Sequence, residues 1–90
     1  MVVLDQHDVD RKVLEILKIL GRSTEPIGAR AIARELSAVG IELTERAVRY
    51  HLQIMDERGL TRQVGREGRL ITELGHDEVA SALVTDKVGY

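Results

Sequence analysis

The chain has 90 residues and no cysteine, enough for one domain and without disulfides or thiolate metal sites. It has no Phe or Trp, and its only aromatic residues are Tyr50 and Tyr90; an aliphatic core of short helices is expected, with little material for a base-stacking surface. Net charge is −2, no apolar run approaches the ~18 residues of a membrane span, and Met1-Val2-Val3-Leu4 lacks the basic flank of a signal peptide, so a soluble cytoplasmic protein without membrane contact is expected.

Residues 1–7 are expected to be a flexible N-terminus. Asp8 is placed to cap a first helix from about Val9 to Leu20, with Val9, Val13, Ile16, Leu17 and Leu20 on one stripe and Gly21 at its end. Leu14 and Ile19 fall off that stripe, where another helix or a second subunit would cover them. Arg22-Ser23-Thr24-Glu25-Pro26 is a polar connection, and Pro26 holds Glu25 extended. A second helix is expected from Gly28 through Val39, burying Ile32, Leu36 and Val39. Ala29 and Ala33 allow close helix approach, and Gly40 stops it. Ile41-Glu42-Leu43 alternates and dips into the core.

Thr44 caps a third helix, Glu45 to Arg58, which Gly59 ends. At about 100° per residue, Val48, Leu52 and Met55 fall on one side, flanked by Ala47, His51 and Ile54. Arg46, Arg49, Tyr50 and Gln53 fall on the other. The period then changes. Leu60–Val64 and Arg69–Ile71 suit two strands, joined by the four-residue turn Gly65-Arg66-Glu67-Gly68. Thr72 caps a last helix to about Leu83, whose start Gly75 weakens. Helix, helix-turn-helix, hairpin, helix is the order of a winged helix-turn-helix: mainly α, with a small hairpin, over residues 8–84.

Charge is segregated along the chain. Residues 46–69 carry six arginines against Asp56, Glu57 and Glu67, while the remainder carries 7 basic and 12 acidic residues. Such a basic segment suits a polyanion despite the acidic total. Arginine can bond two acceptors on a guanine edge, and glutamine can do so on adenine. Arg46, Arg49, Tyr50 and Gln53, with Thr44 at the helix start, are therefore the candidate DNA-reading residues. Arg62, Arg66 and Arg69 are the candidate wing contacts. Arg30, in the first turn of the second helix, is a candidate phosphate ligand. Glu45 sits well at a helix N-terminus, or could accept from a cytosine amino group.

Glu45-Arg-Ala-Val-Arg-Tyr-His-Leu52, the Asp56-Glu-Arg-Gly59 helix end, the Val64-Gly65 and Gly68-Arg69 wing and Ile71-Thr72-Glu73 resemble one family. It is that of the N-terminal winged-helix domain of the archaeal nitrogen-regulation repressor NrpR. The closing Val84–Tyr90 stretch resembles the passage into that family's effector domain, so residues 85–90 read as the start of a linker. The resemblance implies a homodimeric repressor on a palindromic operator of nitrogen-assimilation genes. It also implies that 2-oxoglutarate acts through later domains, so no small-molecule effector is expected on these 90 residues. The same domain type is similar to the helix-turn-helix segment of some ribonuclease R proteins. An RNA-binding winged helix is thus the alternative, and a winged helix for protein contacts alone is another.

An enzyme reading lacks support. His7, His51 and His76 lack ligand spacing, and His51 is expected to be packed and hydrogen-bonded. The adjacent carboxylates Asp56-Glu57 and Asp77-Glu78 point in different directions on a helix. No metal or cofactor is expected.

Overall fold

In the computed structural model, which describes residues 6–88 and side chains over residues 8–82, helices surround one aliphatic core and a hairpin packs beside it. The elements are α1 (Gln6–Gly21), α2 (Ala29–Ala38), α3 (Glu45–Glu57), β1 (Thr61–Val64), β2 (Gly68–Ile71) and α4 (Glu73–Val88). This is the winged helix-turn-helix order expected from the periodicity. Val13, Ile16, Leu17 and Leu20 of α1 meet Ile32 and Leu36 of α2 and Val48, Leu52 and Met55 of α3. Each such side chain, fully buried, contributes roughly 1.5–3 kcal/mol.

Along α1 and α2 three residues lie elsewhere than the sequence pattern suggests. Asp8 does not cap α1, which already begins at Gln6; it lies in the first turn and pairs with Lys12 one turn on, at 2.8 Å. An acid there suits the helix dipole, so the cap is not needed to explain it. Ile19 is only 4% exposed and belongs to the core. α1 packs against α2 and α3 and also against β2 and α4, so its apolar arc is wider than one stripe. Leu14 is half-buried, in the groove α1 forms with Leu74 of α4. Val39 is 63% exposed because α2 ends one residue earlier. There the chain leaves helical phase: Gly40 N–H donates to the Ser37 carbonyl and Ile41 N–H to that of Leu36.

α3 ends by the same device. Gly59, at φ 77°, donates to the Asp56 carbonyl, and Leu60 donates to that of Met55. This turn buries Leu60 and aims the chain into β1. β1 and β2 pair antiparallel, Thr61 opposite Ile71 and Val64 opposite Gly68. Gly68 therefore belongs to the strand, and the turn is Gly65-Arg66-Glu67, one residue shorter than expected. Ile27 pairs with the other edge of β2, exchanging two 3.0 Å backbone bonds with Arg69. The extended piece before α2 thus becomes the wing's third member. Thr72 caps α4, accepting from Gly75 N–H at 3.1 Å and donating to the Gly59 carbonyl at 2.6 Å. α4 runs on to Val88, past the end expected near Leu83. Of the N-terminus expected to be flexible, residues 1–5 lie outside the described residues, as do residues 89 and 90.

The Ile27 bridge requires Gly68. A Cβ at that position would stand 2.3 Å from the Ile27 carbonyl group, and φ there is 133°. Gly68→Ala is therefore expected to cost about 1–3 kcal/mol, as overpacking does. The checks are a lowered urea midpoint and faster amide exchange at Ile27; an unchanged Ile27 amide would contradict the close approach.

Candidate nucleic-acid interface

α3 is held at both ends and along one face. Thr44 Oγ1 accepts from Ala47 N–H at 3.0 Å, the cap expected from the sequence. Val48, Leu52 and Met55 are fully buried. His51 is buried too, and its Nδ1 donates to the Ala47 carbonyl at 2.8 Å. With that side anchored, Arg46, Arg49, Tyr50 and Gln53 are all exposed on the opposite arc. Tyr50 is 56% exposed, its ring set edge-on to His51 with centroids 5.6 Å apart.

The wing extends this surface. Arg62 on β1 and Arg66 on the turn are exposed. Between the wing, α3 and the start of α2 lies a cleft of about 390 Å³, lined by Arg30, Glu45, Arg49, Gln63, Arg66 and Arg69 together with the backbone at Gly28 and Ala29. Gly28, the residue before α2, offers no side-chain cap, so the first α2 amides have no side-chain acceptor there. The structure thus gathers Arg30, Arg49, Arg66 and Arg69 around one space, while Arg46, Tyr50, Gln53 and Arg62 are not among its lining residues. Gln63 was not singled out from the sequence. Its signal was the period-two alternation of β1 next to the turn; its Nε2 donates to the Gly65 carbonyl at 3.2 Å.

Arg69 differs from the other wing cations. It is half-buried and donates to the Asp56 carboxylate from two nitrogens, Nη2 to Oδ2 at 2.8 Å and Nε to Oδ2 at 3.2 Å and to Oδ1 at 3.4 Å. Thr61 Oγ1 donates to Asp56 Oδ1 at 2.6 Å. This carboxylate joins the last turn of α3 to both strands. Burial pushes the Asp56 carboxyl up, but the bonds from Arg69 and Thr61 and the charge of Arg69 outweigh it and hold it below the usual range. Glu45 plays a second part in the cleft: it pairs with Arg30 Nε at 3.3 Å and with Arg49 Nη2. Among the described residues no group of three His, Asp or Glu could hold a metal ion. No described helix is long and apolar enough to cross a membrane.

A helix anchored on its apolar side, a helix before it across a glycine turn and an arginine-bearing hairpin after it define a winged helix-turn-helix domain. The chain belongs to the ribonuclease R winged-helix domain family, which it matches over residues 14–79. It is 51% identical over 82 residues to the global nitrogen regulator NrpRI of Methanosarcina mazei. It is 50% identical over 82 residues to the global nitrogen regulator NrpR of Methanocaldococcus jannaschii. Both alignments cover 91% of this chain, but it spans only 25% and 15% of those regulators. The resemblance to the NrpR winged-helix domain, read from the third helix and the wing, therefore holds.

The Asp56 tie has a pH signature. Its folded pKa is depressed, so its contribution is present above the ordinary value of 3.8 and is lost as the pH falls through the lower folded one. Asp56→Ala is expected to cost about 1–3 kcal/mol above that range, as loss of bonds to a charged group does. Urea unfolding at several pH values checks this: the gap to wild type should narrow in acid. A gap independent of pH would show that the ion pair contributes nothing.

Proposed function

We propose that the chain is the DNA-binding part of a cytoplasmic transcriptional repressor of nitrogen-assimilation genes, with residues 8–84 as the binding module. The observation that carries this reading is the continuity of two cationic surfaces: the exposed Arg46, Arg49, Tyr50 and Gln53 face of α3, and the arginine-lined cleft leading to Arg66. The identity of about half of its residues to two global nitrogen regulators supports the regulatory part. In this reading α3 lies in the major groove and its side chains meet base edges. Arg66 and Arg62 meet the backbone, and Arg30 beside the start of α2 holds a phosphate. Thr44 acts at the helix start, where its hydroxyl already serves the cap. Arg69 acts by holding the wing in place. Repression follows from occupancy of the site.

A homodimer on a palindromic operator is part of the proposal, with half-sites about one helical turn apart. Leu74, 49% exposed, and half-buried Leu14 supply apolar surface where α1 meets α4. Sedimentation of the chain with a selected duplex should give two chains per site; one chain per site at high protein concentration would contradict the dimer.

The second reading is RNA, favoured by the kinship to ribonuclease R domains. A-form RNA hides its major groove, so α3 could not read base edges there. Competition between duplex DNA and duplex RNA separates the two. Selection from random duplexes should give a defined site, on which Arg49→Ala costs about 1–3 kcal/mol and relaxes preference at one base pair. Arg66→Ala should weaken selected and random duplexes alike and lower the salt slope by about 0.9 for each phosphate it no longer neutralises. Duplex RNA outcompeting every DNA would overturn the reading.

A further inference from the structure

Among the described residues, Glu45 is the one acidic side chain lining the arginine cleft. Its two oxygens engage two different arginines, Arg30 of α2 and Arg49 of α3. Those arginines are 77% and 62% exposed. An ion pair so open to water adds little to stability, and Thr44 already caps the helix, so folding alone gives a thin account of this arrangement. What the carboxylate does accomplish is to occupy, in the free protein, two cations that any phosphate would otherwise take. Arg69 is occupied as well, by Asp56. Arg66 makes no ion pair among the described residues.

We propose that Glu45 is a specificity filter: an internal anion that engages Arg30 and Arg49 in the free protein, withholds Arg49 from phosphates in general and yields it only to a base edge, Arg30 turning to its phosphate in that same complex. The inference rests on the DNA reading and deepens it. A phosphate entering the cleft is drawn by Arg66 but repelled by Glu45, and it can satisfy Arg49 no better than the carboxylate already does. A guanine edge presents two acceptors to the guanidinium without a full negative charge. It can take the distal end of Arg49 without forcing two anions together. Random sequence therefore meets the repulsion with nothing to compensate it, whereas the preferred site supplies a base edge. Glu45 is a positioning residue in this account, acting through Arg49.

The test is Glu45→Gln, measured by fluorescence anisotropy on a random-sequence duplex and on the duplex best bound in selection, across a salt series. The carboxamide keeps the size of the side chain and removes its charge. Affinity for random duplex should rise about three- to tenfold, from one like charge removed near a phosphate. The salt slope should steepen by about 0.9 for each further phosphate neutralised. The ratio of selected to random affinity should fall. Adding Arg49→Ala to Glu45→Gln should abolish much of the rise, because the freed arginine supplies it. Glu45→Ala, a second neutral variant, should behave like Glu45→Gln if the charge is what matters. Unchanged or weaker binding to random duplex, or an equal rise on both duplexes, would overturn the filter. So would a lowered melting temperature with the affinity ratio intact, the mark of a helix-supporting role alone. A wild-type chain that binds no duplex overturns the DNA reading and the filter together, whereas wild-type binding with an indifferent Glu45→Gln overturns the filter alone.

Discussion

One carboxylate joins the two arms of this surface. Asp56 takes three bonds from Arg69 and one from Thr61, so the last turn of α3 is tied to both strands of the wing. Arg69 then reaches further, its backbone exchanging two bonds with Ile27 just before α2. Helix, hairpin and the approach to α2 meet at this residue. A two-stranded hairpin alone is marginal in water; this one has a third backbone partner and an ion pair. Arms fixed before binding have less conformational entropy to lose when a ligand arrives.

That constraint explains how a chain of net charge −2 can present a cationic surface. Two acidic side chains, one inside the basic segment and one just before it, are put to internal use. Asp56 neutralises the half-buried Arg69, and Glu45 just before the segment neutralises part of the cleft. Asp8 pairs with Lys12 on α1, and Arg58 with Asp10 across from α3 to α1, at 3.1 Å. Exposed Arg46, Arg62 and Arg66 are left to define the outward field. Placement of the charges, more than their sum, decides which polyanions can approach.

Local signals made much of this legible in the sequence. The 3.6-residue period gave the buried and exposed sides of α3, Thr44 and Thr72 gave two caps, and the switch to period two after Gly59 gave the hairpin. What stayed hidden depends on tertiary packing. Ile19 is buried because α1 is covered from more than one direction, which a single stripe does not reveal. Val39 continues the α2 pattern but lies where the helix has already ended. Arg69 resembles Arg66 in the sequence, and only the chain reversal that brings β2 back to Asp56 tells them apart. Gly75 reads as a weak point of a helix; in the fold a Cβ there would stand 2.4 Å from the Leu60 carbonyl oxygen, so α4 seats closely on the hairpin's base. Asp56 reads as one of two adjacent surface acids for the same reason, since its partner is 13 residues away.

The central claim is that the α3 face and the wing engage duplex DNA as one surface. Amide chemical-shift mapping during titration with a duplex recovered by selection tests it most directly. The account predicts that the largest changes fall together on residues 44–53, residues 62–67 and the start of α2, at a single stoichiometric point, while the amides of α4 move little apart from any change that dimerisation brings. Changes confined to α1 and α4, with α3 and the wing unmoved, would contradict it.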